Sequence, residues 1–266
     1  KMKEVKLVAF DIDGTLIKRG TKHIPEDVKA AIQQLKNKGI IIMVATGRSS
    51  FFIQDDVIQT IQPDFYVTVN GHLVVDKQMN AVYKNPLSLA DTHLMISEAR
   101  RLGFSIGLKS EHSIDVYHQY EYFAPRYLSS DPSKLHILKN LEGQDLPKEA
   151  PYGSFMIGNE EDILSLAPKL NDCILTYAYG NAYEVYKPQA GKADGLEYVL
   201  KQYNIGWDEV ITFGDAHNDV PMLEKAGRSV AMGDGHPDAL SAASYVTGSV
   251  DEHGIVNALK HFQLID

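Results

Sequence analysis

Two carboxylates, Asp11 and Asp13, follow directly on the apolar run of KLVAFDIDG and stand just ahead of Gly14. Side chains two apart on extended backbone point the same way. Like charges therefore lie side by side at the end of what reads as a buried strand. Three further stretches hold groups of similar potential: ATGR at Ala45–Arg48, GKADG around Lys192, and GDAHND at Gly214–Asp219. Gathered carboxylates are unstable unless a cation sits among them, and an oxygen-only donor set suits Mg2+. A lysine, a threonine hydroxyl and amides exposed by glycine would add a receptor for a phosphate group. One carboxylate of such a site can act as nucleophile, and the one two residues on can move protons.

The elements around these stretches explain how they would meet. Val5–Phe10, Ile40–Ala45 and Phe65–Val69 are apolar throughout and read as strands buried on both faces. Between the first two lies PEDVKAAIQQLKNKG. Pro25 suits a first helical turn, Glu26 and Asp27 complement the dipole, Val28, Ala31, Ile32 and Leu35 share one face, and Gly39 ends the helix. The rhythm returns late: a helix in GKADGLEYVLKQYNI, a strand in EVITFGD, a short helix in NDVPMLEKAG, a strand in SVAMGDG, and a last amphipathic helix from about Glu252 to Phe262. The pattern predicts an α/β fold with a Rossmann-like, doubly wound parallel sheet. Each chemical stretch then falls past the carboxyl end of a strand or at the start of the next helix, where open α/β sheets bind ligands.

Asn80 to Pro188 has another texture, with short polar strands (FSIGLKS, SIDVYHQ, GSFMIG, CILTYAYG, AYEVY) and two helices, one capped by Ser88. It reads as an inserted α+β domain, giving a core of residues 1–79 and 189–266 and an insert of 80–188. The net charge of −9, with both signs interspersed, argues against nucleic acid or an anionic membrane as partner. Cys173 is the only cysteine, so no internal disulfide or cysteine cluster is available, which fits a reducing cytoplasm. No apolar segment approaches the roughly 20 residues of a membrane span, and the run ahead of Asp11 is too short for a signal peptide.

DIDGTL, ATGR, Lys192 and GDAHNDVPML together resemble the four signature motifs of the haloacid dehalogenase-like (HAD) phosphohydrolases. The insert between the second and third motifs resembles the type IIB cap of the Cof subfamily. The resemblance implies Asp11 as nucleophile and metal ligand, and Asp13 as general acid/base giving the metal its backbone carbonyl. It implies Asp215 as a further ligand of Mg2+. Ile12, Thr46, Gly47 and Asn218 would bind the phosphoryl oxygens, Lys192 would neutralise charge, and Asp219 would anchor Lys192 or a metal-bound water. Ala216 departs from relatives that carry glycine or a second acid there. The implied activity is hydrolysis of a small phosphorylated metabolite, sugar phosphates first, by a monomer or homodimer.

Plainer readings stand beside these. Asp-x-Asp-Gly alone is a common turn, and GDAHND could merely cap a helix. Coincidence of all four stretches at one sheet edge favours catalysis. His217 reads as a solvent-facing loop residue, Cys173 as a small core residue, and the tyrosines of 117–127 and 177–186 as strand and cap packing. Glu111, His112, Arg126 and Tyr127 are candidate cap contacts. A phosphosugar mutase uses the same core residues. A phospho-accepting receiver module would need an Asp in the third strand, which FYVTVNG lacks.

Overall fold

A computed structural model describes residues 3–129, 131–188 and 190–266. Gln189, the expected first residue of the second core segment, lies outside them, as do Lys1 and Met2. The strands are β1 (Leu7–Phe10), β2 (Ile41–Ala45), β3 (Phe65–Thr68), β4 (Leu73–Asp76), β5 (Ala81–Lys84), β6 (Ser105–Lys109), β7 (Ile114–His118), β8 (Leu138–Asn140), β9 (Gly153–Ile157), β10 (Ile174–Tyr179), β11 (Ala182–Tyr186), β12 (Val210–Gly214), β13 (Arg228–Ala231) and β14 (Tyr245–Val246). The helices are α1 (Glu26–Asn37), α2 (Leu89–Leu102), α3 (Tyr120–Tyr127), α4 (Glu160–Leu164), α5 (Lys192–Tyr203), α6 (Val220–Lys225), α7 (Pro237–Ala242) and α8 (Gly254–His261). Two compact units result. One comprises the chain up to Arg48, Ile53–Tyr83 and Gly191–Asp266, and the other Ser49–Phe52 and Lys84–Ala190.

The first unit is the Rossmann-like core, an eight-stranded sheet in the order β14-β13-β12-β1-β2-β3-β4-β5. Every pairing from β14 to β3 is parallel, and β4 turns back antiparallel on β3. All four residues of β1 are fully buried, as both-face coverage demands. Leu7 and Ala9 pack with Leu196 and Val199 of α5 and Met222 of α6. On α1 the buried residues are the anticipated stripe of Val28, Ala31, Ile32 and Leu35.

Register does the positioning. Phe10 is level with Val44 of β2 and with Phe213 of β12. The next residues on the three strands, Asp11, Ala45 and Gly214, therefore stand abreast. The chain winds one way from β1 through β2 to β3 and the other way from β12 through β13 to β14, which makes the carboxyl ends of β1 and β12 the switch point of the sheet.

The second unit is the inserted domain, a six-stranded sheet ordered β10-β11-β9-β6-β7-β8. One face packs on α2 and α4 through Met95, Ile96, Ile163 and the strand residues Ile106, Leu108 and Val185. The other packs in part on α3, where Phe123 and Ala124 meet Val116 and Phe155. The Ser88 hydroxyl accepts from the Asp91 amide at 3.3 Å, the expected cap of α2. Asp91 itself is buried and accepts the amides of Asn171 (3.0 Å) and Asp172 (2.9 Å), tying the α2 start to the chain entering β10.

Candidate active site

Asp11 follows β1 and Asp215 follows β12, so the shared register brings both carboxylates to adjacent strand ends. The Asp11 amide donates to the Phe213 carbonyl at 2.9 Å. Gly14, at φ +99°, turns the chain immediately after Asp13. A Cβ there would lie 2.3 Å from Asp215 Oδ2, so both backbone angle and space require glycine.

Lys192 opens α5, where the helix dipole disfavours a cation, and it is 1% exposed. Two carboxylates compensate: Nζ donates to Asp11 Oδ1 at 2.5 Å and to Asp219 Oδ1 at 2.7 Å. The other oxygen of Asp219 accepts the amides of Asp215 and Ala216, each at 2.9 Å. Asp219 is thus braced by three donors, and the Ala216 amide is committed to that brace. Carboxylate oxygens of Asp11, Asp215 and Asp219 lie within 4.8 Å of one another, and all three residues are buried.

The electrostatics follow from that crowding. Burial pushes the Asp11 carboxyl well above its ordinary range; Lys192 pulls it down, while Asp219 and Asp215 push it up again. Burial also raises Asp215, against the pull of Arg19, whose Nη2 donates to Oδ2 at 2.6 Å. Burial alone would lower Lys192, but the Asp11 and Asp219 carboxylates raise it above an ordinary lysine and keep it charged. Three acids against Lys192 and Arg19, all donors being oxygen, fit a hard divalent cation such as Mg2+. Asp11 and Asp215 are the residues that could hold it. The partners of Asp215 are readily displaced, since the Arg19 side chain is 61% exposed and the Thr15 hydroxyl bond is long at 3.3 Å.

The Asp13 carboxylate stands apart from this trio. Arg48 grips it as a fork, Nε to Oδ2 at 2.7 Å and Nη2 to Oδ1 at 2.9 Å, and Gln54 Nε2 adds a third bond at 3.1 Å. Burial would raise this carboxyl, but the Arg48 hydrogen bonds and charge hold it below the usual range. Thr46 is buried, and its hydroxyl accepts from the Arg48 amide at 3.1 Å. Asn70, at φ +50°, links the two phosphate-loop candidates. Its amide donates to the Thr46 carbonyl at 3.0 Å, its side chain lies against Gly47, and its Oδ1 accepts from Asn218 Nδ2 at 2.9 Å. Ile12 is buried, with its carbonyl accepting the Thr15 and Ile17 amides.

Sequence reasoning gave no role to Arg19, Arg48, Gln54 or Asn70. Arg48 lay within the quoted ATGR, and Asn70-Gly71 carries the left-handed signal of a turn at a strand end. Arg19 and Gln54 had no signal of their own. His217 is exposed beside Asp238 at 2.8 Å, and Cys173 is buried with its thiol pushed up to about 11 by desolvation. Both behave as the plainer readings expected. In the second unit, Glu111 pairs with Lys84 at 2.5 Å, His112 lies exposed beside Glu111, the Arg126 guanidinium lies 3.5 Å over the Tyr122 ring, and Tyr127 stacks among Phe52, Phe123 and Phe155.

Residues 8–259 match the haloacid dehalogenase-like hydrolase family. The chain is a haloacid dehalogenase-like hydrolase. Its buried acid trio is consistent with the phosphoryl-transfer chemistry of that superfamily. A Streptococcus pyogenes chain assigned as a bifunctional phosphatase/peptidyl-prolyl cis-trans isomerase is 28% identical over 269 residues; the hydrolase aligns along 100% of its own length but spans only 56% of that relative. A 5-amino-6-(5-phospho-D-ribitylamino)uracil phosphatase of Bacillus subtilis is 28% identical over 270 residues, covering 96% of the hydrolase and 97% of the relative. The solved structure of a HAD subclass IIB sugar phosphatase superposes with a TM-score of 0.81 at 27% identity, over 98% of the hydrolase and 100% of that chain. Among the described residues no helix is long and apolar enough to cross a membrane.

Proposed function

We propose that the hydrolase is a Mg2+-dependent phosphatase of Cof type, removing phosphate from a small, sugar-phosphate-like metabolite. Residues 80–188 form its type IIB cap, and 1–79 with 189–266 its catalytic core. One observation carries this reading: Lys192 is buried between Asp11 and Asp219 inside an acid trio at the switch point of the sheet. An immobile cation there opposes the cost of burying the Asp11 charge and aims the carboxylate, which is what a nucleophile toward a phosphate ester requires. Mg2+ held by Asp11 and Asp215, with the Asp13 backbone carbonyl, would neutralise phosphoryl charge.

Asp11 attacks phosphorus, forming an aspartyl-phosphate as the bond to the leaving oxygen breaks. Asp13, released from the Arg48 fork and protonated from solvent, gives that oxygen its proton, then takes one from the water that cleaves the intermediate. To do so Asp13 must leave the Arg48 fork, so Arg48 and Gln54 hold it in reserve. Thr46, the Gly47 and Ile12 amides and Asn218 bind the phosphoryl oxygens, with Asn70 setting the spacing between Gly47 and Asn218. The names of the sugar phosphatase and the ribitylamino-uracil phosphatase support a hydroxylated substrate. The net charge of −9 supports a free metabolite rather than nucleic acid, and the single cysteine supports a reducing, cytoplasmic setting. The test is phosphate release from a panel of phosphorylated metabolites with Mg2+ and with excess chelator. Release that depends on the metal is the expected result; release undiminished in chelator refutes the metal site.

A further inference from the structure

Three cations answer the carboxylates gathered at the switch point of the core sheet. Lys192 takes Asp11 and Asp219, Arg48 takes Asp13, and Arg19 takes Asp215. They are held very differently. The Lys192 side chain is 1% exposed and fixed between two acids, and that of Arg48 is 26% exposed and grips its carboxylate with two bonds. The Arg19 side chain is 61% exposed and donates from Nη2 to Asp215 Oδ2 at 2.6 Å.

The backbone around Arg19 explains this presentation. The Lys18 carbonyl accepts the Thr21 amide at 3.0 Å and the Thr21 hydroxyl at 2.8 Å. That closes a turn with Arg19 and Gly20 at its corner, and Gly20 at φ +83° has the positive angle of a type II turn. Residues 18–23 are all exposed. The turn therefore delivers the guanidinium from the solvent side, and side-chain rotation alone can take it off Asp215 while the packed strands stay in place. Burial opposes the Arg19 charge, but the bond to Asp215 and the charges of Asp215, Asp11 and Asp13 hold it above its ordinary range. The guanidinium thus lies in the field of the same two carboxylates, Asp11 and Asp215, that fit Mg2+. Two cations drawn to one carboxylate repel each other at that distance, so each weakens the hold of the other.

We propose that Arg19 is a competitor built into the metal site, neutralising Asp215 in place of Mg2+ and giving that carboxylate up when Mg2+ binds. The assignment rests on the Mg2+ reading of the acid trio and adds the residue that sets its affinity. The experiment is titration calorimetry of Mg2+ into the full chain at constant ionic strength, beside thermal melting in chelator and in saturating Mg2+. Wild type is set against Arg19→Met and Lys18→Met. Lys18 is the neighbouring cation but pairs with Asp251, so it controls for loss of surface charge. Arg19→Met is expected to bind Mg2+ about fivefold more tightly, the equivalent of one partly exposed ion pair. In chelator its melting temperature should fall by about 2–4 °C, and saturating Mg2+ should erase that difference, since neither protein then uses Arg19. Lys18→Met should change the affinity by less than about twofold, as befits a screened charge. Arg19→Met binding at wild-type affinity, or more weakly, overturns the competitor; weaker binding would make Arg19 a support of Asp215 instead. Equal tightening in Lys18→Met overturns it as well, since that is a general effect of charge. A wild type that binds no Mg2+ overturns the metal reading, and the competitor with it.

Discussion

Lys192→Met isolates the single interaction on which the candidate site turns. Met is close to lysine in length and apolar, so the buried volume is nearly kept while the charge is lost. Two carboxylates that had bonds of 2.5 and 2.7 Å to one ammonium then face each other without a cation. Breaking a buried pair by removing one partner costs about 3–5 kcal/mol. With about 2–4 °C per kcal/mol for a domain of this size, the melting temperature should drop by about 6–20 °C. The sign of the pH dependence is fixed by Asp11, whose folded-state pKa is raised above the ordinary 3.8. Such a group stabilises the fold fully below its unfolded value and loses that contribution as pH rises through the folded value. Removing Lys192 raises it further, so the deficit of the variant should be small near pH 4 and grow toward pH 8. Mg2+ should restore more stability to the variant than to wild type, because it replaces the missing charge. Phosphate release should fall about 100- to 1,000-fold, the cost of one lost charge-stabilising donor. Thermal unfolding across pH with and without Mg2+, paired with a phosphate-release assay, measures all of this. A variant that melts with wild type at pH 8 and keeps activity within about tenfold would refute the claim that Lys192 holds the trio together.

Other outcomes follow from single contacts. Asp11→Asn should abolish turnover while the protein still folds, since it removes a buried acid whose ionisation burial opposes; residual activity above about 1% would refute the nucleophile. Gly14→Ala should destabilise by about 1–3 kcal/mol and weaken Mg2+ binding in calorimetry, because the new Cβ would lie 2.3 Å from Asp215 Oδ2 at a φ of +99°. Asp91→Ala leaves the Asn171 and Asp172 amides without their acceptor and should cost about 1–3 kcal/mol in urea titration. The Asp91 carboxyl is held below its usual range because those amide bonds outweigh its burial. Its contribution is therefore present above the ordinary 3.8 and should vanish as acid carries the pH below the folded value.

The core was legible because its signals are local and repeated. Strands apolar on both faces, a capped amphipathic helix between them, and polar stretches at their ends dictate a parallel sheet, and register then brings Asp11 beside Asp215. The antiparallel β4 was not read, since LVVD is too short to separate from the strand before it. Helix α3 was missed for another reason: YEYFAPRY contains Pro125 and three tyrosines, which on propensity alone argue for strand or turn. The arginines at the site were illegible in kind. Nothing in IKRG tells Arg19 from a solvated surface charge, and Arg48 acquires meaning only when Asp13 is seen in its grip. The ion pair of Lys109 with Glu184 in the second unit joins residues 75 apart in sequence and needed the order of strands in its sheet before it could exist at all.

Ser49–Phe52, four residues immediately after Arg48, belong to the same compact unit as Lys84–Ala190. Phe52 lies 5.8 Å from Tyr127, and both Phe51 and Phe52 pack on the apolar cluster around α3. Excising 84–190 and splicing the flanks would thus leave two phenylalanines stripped of their surroundings, on a tether beside the grip on Asp13. A minimal scaffold made that way would be sticky, and replacing both rings with serine is the repair it would call for.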